Sequence, residues 1–128
     1  MRIKSTVTVL GIVLAGAFAL PASVGAQTTC VECCAGDAVC VALAELADLQ
    51  ATVAELVTDL HLAFSLNVKV QATTNSVLGG QYGAAINQID AFGNQVDAAG
   101  QSGQLTVSVQ NVLKTKHDTV KNSISNVR

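Results

Sequence analysis

Apolar residues recur along this chain at helical intervals. From Val39 they fall at Ala42, Leu46, Leu49, Val53, Leu56, Leu60 and Ala63, alternately three and four apart, the spacing that lines one side of a helix. Leu43, Val57 and Phe64 lie beside this row and widen it to a stripe broad enough to face a core. Strong helix formers, Ala44, Ala47, Ala51 and Ala54, stand between them, with neither Gly nor Pro from Asp37 to Val70. The pattern predicts one helix over about 37–66, with Asp37 as its N-cap.

A second row runs through Leu78, Tyr82, Ala85, Ile89, Phe92, Val96 and Ala99 and predicts a helix over 77–99, entered through a turn at Thr73-Thr74-Asn75-Ser76. Gly79, Gly80, Gly83 and Gly93 weaken it by about 1 kcal/mol each. They serve either close helix–helix approach, the slightly favoured reading, or a break at Gly79-Gly80. A third row, Val109, Leu113, Val120, Ile124 and Val127, predicts a helix over 104–126, after a loop at Ala98–Gly103. The expected fold is all-α, a small three-helix bundle or a long helical hairpin plus a C-terminal helix. Two stretches compete with it. Leu66-Val68-Val70 and Leu105-Val107-Val109 alternate with polar residues at period two, so an α+β fold with one short strand pair is the alternative.

The N-terminus departs from this periodicity. Arg2 and Lys4 precede an apolar run from Val9 to Leu20, and Pro21 leads to Val24-Gly25-Ala26, small residues suited to signal-peptidase cleavage. Residues 1–26 are therefore read as a cleaved signal peptide and the product as secreted or periplasmic. An uncleaved anchor is the poorer reading, because Thr6, Thr8, Pro21 and Ser23 dilute a stretch that barely reaches spanning length. Lipidation is poorer still, since Gln27-Thr28-Thr29 precedes the nearest cysteine.

What remains has room for one small domain: a Cys-rich segment over 27–40 and a helical domain over 37–128. All four cysteines, Cys30, Cys33, Cys34 and Cys40, sit in that first segment. In an exported chain such a cluster reads as disulfides that cap the following helix, with Cys33 and Cys34 paired outward to Cys30 and Cys40 rather than to each other. Links between subunits are the main rival. A thiol–disulfide redox pair at Cys30 and Cys33 has the right spacing but no preceding strand. Haem attachment fails because Cys34 stands where His is needed, and zinc lacks a second, distant ligand pair.

Removing Arg2 and Lys4 takes the formal charge from −2 to −4, too mild a balance to suggest nucleic-acid binding. The charge is uneven. Glu45, Asp48, Glu55 and Asp59 form an acidic ridge on the first helix, whereas Lys114, Lys121 and Arg128, seven apart, form a basic edge on the last. These two edges could lie together inside the fold, or serve as a partner surface; the basic edge could also meet anionic lipid. His61 and His117 occupy no spacing that suggests a site, and His61 falls outside the core row. The Glu-x-x-His pairs of di-iron bundles, His-Glu-x-x-His, phosphate-binding loops and the serine elbow are absent. No catalytic residue, metal or cofactor is assigned. The sequence is read as a small exported helical protein that binds or assembles with a protein partner or with itself. A minor subunit of an envelope secretion or pilus apparatus, a thiol redox protein and an anionic-surface binder are the alternatives.

Overall fold

In the computed structural model the described residues are 36–127, and they form four helices. These are α1, Ala38–Leu56; α2, Leu60–Leu78; α3, Tyr82–Gln101; and α4, Val107–Val127. The all-α expectation holds, and among the described residues there is no strand. The signal peptide assigned to residues 1–26, Cys30, Cys33, Cys34 and Arg128 all lie outside the described residues.

The helices number four, not three, because the first predicted helix is two. α1 stops at Leu56, Val57 takes an extended backbone (φ −95, ψ 107), and α2 begins after Asp59. The buried apolar positions register this break, running from Val53 to Val57 and then to Leu62. That last interval is five residues, which no continuous helical stripe produces. Leu60 and Phe64, placed by the unbroken pattern on or beside the core row, are instead turned outward. Asp59 restarts the helix by accepting the backbone N–H of Leu62 on Oδ1, at 3.0 Å.

The glycines mark the other two turns. Gly79 ends α2, Gly80 follows at φ +73, and N–H groups of Gly80 and Gln81 return to the carbonyls of Val77 and Ser76. At the end of α3, Gly103 (φ +81) and Gln104 return to Gly100 and Ala99 in the same way. Both are Schellman closures, in which a left-handed glycine satisfies the last carbonyls of the helix. The turn expected at Thr73–Ser76 is therefore helix. Its hydroxyls cause no break, because Thr73 and Thr74 donate to the carbonyls of Lys69 and Val70, and Ser76 donates to Gln88 of α3. Leu66–Val70, alternating in sequence, is likewise interior to α2.

Each helix packs on its neighbours in a ring, α1 on α2, α2 on α3, α3 on α4 and α4 on α1. Short connections at 57–59, 79–81 and 102–106 make successive helices antiparallel. Gln104, in the last connection, approaches Asp59, in the first, at 3.5 Å. Two connections thus share one end, while the start of α1 and the end of α4 line one hollow at the other. This is an up-down-up-down four-helix bundle. Its core stacks Leu46, Leu49 and Val53 of α1, Leu66, Val70 and Val77 of α2, Ile89, Phe92 and Val96 of α3, and Leu113, Val120 and Ile124 of α4. Among the described residues Phe92 is the only aromatic ring that is fully buried, so aliphatic contacts dominate.

Asp59 gives a testable pH dependence. The Leu62 N–H is the main influence holding its carboxyl below the usual aspartate value. A carboxylate depressed in the folded state adds stability that is complete above its unfolded value, about 3.9, and is lost as pH falls through the lower folded value. We expect Asp59→Ala to lower the melting temperature at pH 7, Asp59→Asn to keep most of the cap, and both to narrow the difference from wild type under strong acid. Thermal melts by circular dichroism at pH 7 and pH 2 check this.

Candidate functional site

Two features of the bundle stand apart from its core: a polar seam between α3 and α4, and an apolar stripe on the outside of α2.

The seam is built by sequence spacing. Asp90 and Asp97 are seven apart on α3, as are Lys114 and Lys121 on the antiparallel α4, so the pairs meet in register. Lys114 Nζ lies 2.8 Å from Asp97, and Lys121 Nζ lies 2.7 Å from Asp90. Lys116, on the opposite flank of α4, pairs with Asp48 of α1. Among the described residues, the last helix meets the acidic ridge of the first through Lys116 and Asp48, and Lys116 is not part of the expected basic edge. Lys114 and Lys121 turn to α3, because α4 lies between α1 and α3 and offers each a different edge. Of the remaining acidic ridge, Glu55 is exposed, Glu45 is half-buried and Asp59 caps α2. The hydrogen bond from Lys114 is also the main cause holding the Asp97 carboxyl below its usual range.

His117 lies inside the seam. It fills the core position between Leu113 and Val120, and its side chain is only 8% exposed. Nδ1 is 2.9 Å from Asp118, while Nε2 has no hydrogen-bond partner and is 3.7 Å from Asp90. The ring stacks on Phe92, centroids 6.5 Å apart and planes within 8°. It sits over Gly93, where an added Cβ would fall 2.8 Å from Nε2. The close approach anticipated for the glycines occurs here, and the break at Gly79-Gly80 occurs as well. The sequence held a signal for His117. Leu113, His117, Val120 and Ile124 are spaced four, three and four, so the histidine continues the core row.

The stripe on α2 is of another kind. Leu60, Phe64 and Val68, each four residues from the next, are 82%, 72% and 51% exposed. They point away from the buried row Leu62, Leu66 and Val70. Ser65 donates to Gln95, whose side-chain amide donates back at 2.8 Å, and this pair sets α2 against α3. His61, also on α2, is exposed.

Cys40, in the first turn of α1, is disulfide-bonded. Among the described residues no three His, Cys, Asp or Glu side chains gather to hold a metal, and no helix is long and apolar enough to cross a membrane. The hollow between the start of α1 and the end of α4, about 260 Å³, is lined among the described residues by Gly36, Asp37, Ala38, Val41, Ser123 and Asn126. Compared with protein families, curated proteins and solved structures, the chain matches none.

Proposed function

We propose that this chain is a small exported helical protein that works by binding or assembly rather than by catalysis. The observation that carries the reading is the Leu60–Phe64–Val68 stripe. A chain with so few large apolar side chains turns one of its three phenylalanines and two aliphatic residues to solvent in a row. Scattered exposed apolar residues need no explanation, but a contiguous row on one helix face fits a surface that is covered when the protein works. The seam supports the same reading. Its lysines and aspartates pair with one another on the half-exposed flank between α3 and α4, and His117 is packed against Phe92, so these groups are engaged within the bundle.

A photo-crosslinking amino acid placed at position 64, with Asn87 on the solvent side of α3 as control, tests it in the native envelope. Adducts with one discrete protein at 64 and none at 87 are the expected result. Equal, diffuse labelling at both positions would remove the reading.

A further inference from the structure

We propose that His117 is a proton-operated clasp between α4 and α3, in which a proton taken up at Nε2 turns an unpartnered nitrogen into a donor to Asp90.

The tautomer sets the device. An ionised Asp118 only accepts hydrogen bonds, so the 2.9 Å contact at Nδ1 places the neutral ring's one proton on that nitrogen. Nε2 is then a bare acceptor, buried and without a partner. Set against it is Asp90 Oδ1, a second acceptor, 3.7 Å away and too far for a hydrogen bond. A neutral imidazole therefore leaves two acceptors facing each other across the seam. Protonation replaces them with an N–H aimed at a carboxylate, and a small rotation of either group closes the gap to the roughly 2.8 Å of a charge-assisted bond. Gly93 stands one turn from Asp90 on α3, and its missing Cβ leaves the ring room to lie against that helix. Asp90 is 40% exposed, so protons reach Nε2 along its side of the seam without the core opening.

The charges around the ring call for one more cation. α3 faces it with Asp90 and with Asp97, whose carboxylate also interacts with the imidazole's charge. α4 itself adds Asp118, Lys114 and Lys121, so three carboxylates stand against two ammonium groups. A proton on His117 evens the cluster. α1, the other helix packed on α4, sends Asp48 to Lys116 on the opposite flank, and among the described residues neither Glu45 nor Glu55 pairs with the ring. Burial of the ring works against the added charge, as does Lys121, which holds the same Asp90 oxygen at 2.7 Å. Closure of the clasp therefore depends on the supply of protons.

The test uses the exported protein with its disulfides intact. Long-range proton–nitrogen spectra of the imidazoles are recorded from about pH 8.5 to about pH 4.5, across the range in which histidines change charge. At the alkaline end His117 is expected to carry its proton on Nδ1 alone. At the acid end a second proton on Nε2 should exchange with water far more slowly than those of exposed His61, and the Asp90 carboxyl carbon should shift in the same transition. A double-mutant cycle of His117→Gln and Asp90→Asn in urea then reads the contact itself. The coupling is expected to be about fivefold or more in the unfolding equilibrium constant at pH 5, and under about twofold at pH 8. The ion pair that Asp90→Asn takes from Lys121 is lost at both pH values and cancels. A neutral ring protonated on Nε2, an Nε2 proton exchanging as fast as those of His61, or a coupling equal at the two pH values overturns the clasp. If a variant does not fold, the wild-type spectra decide alone.

Discussion

Phe92→Ala is expected to remove a large share of the bundle's stability. The ring is fully buried on α3 among aliphatic side chains and stacks on His117 of α4. Truncating a buried phenylalanine costs about 3–5 kcal/mol, counting lost transfer energy and the cavity left behind. A domain of this size holds on the order of 5–10 kcal/mol in all. Phe64→Ala offers the matched control. That ring is 72% exposed, so its removal should change stability by less than about 0.5 kcal/mol. Urea unfolding followed by circular dichroism separates the two, and equal losses would contradict the burial assigned to these rings.

The second large effect is expected at Gly93, where alanine should destabilise even though alanine is the better helix former. The substitution gains about 1 kcal/mol of intrinsic propensity. Its Cβ, however, would come within 2.8 Å of His117 Nε2 and 3.0 Å of Cδ2. The ring has little room to retreat, held by Phe92 on one side and Asp118 at Nδ1 on the other. Overpacking a tight contact costs about 1–3 kcal/mol, so the net loss should be up to about 2 kcal/mol. Gly83→Ala, on the same helix with nothing within 4 Å of the added carbon, should be neutral or stabilising by up to about 1 kcal/mol. In Gly93→Ala combined with His117→Ala the clash disappears, so the two losses should add to more than the double variant shows. Strict additivity in denaturant melts would place the histidine elsewhere.

Much of this fold can be read from the chain, and the parts that cannot have physical causes. Ile89, Phe92 and Val96, or Leu46, Leu49 and Val53, keep strict helical phase over several turns, and they are buried where that phase puts them. The break after Leu56 was hidden because neither Gly nor Pro marks it. An extended Val57 and the Asp59 cap make the turn, and three- and four-residue steps continue across it by coincidence. The same coincidence placed Leu60 and Phe64 in the core, so the exposed stripe was invisible until the phase was reset. Thr73–Ser76 looked like a turn because such residues compete with the helix backbone when solvated. Here their hydroxyls have partners on preceding carbonyls or on α3. The seam was legible only in part. Lys114 and Lys121 showed their spacing, but choosing Asp90 and Asp97 over the first-helix acids requires knowing which helix lies on which flank of α4.

The bundle receives and releases its chain at one end, where Asp37 and Asn126 line the same hollow. α1 then climbs for 19 residues, about 28 Å at 1.5 Å per residue, before the chain turns at Val57. The apolar stripe starts immediately after that turn. A tether at residue 36 would therefore leave Leu60 and Phe64 at the far end of a rod, held out at a fixed reach from whatever grips the other end.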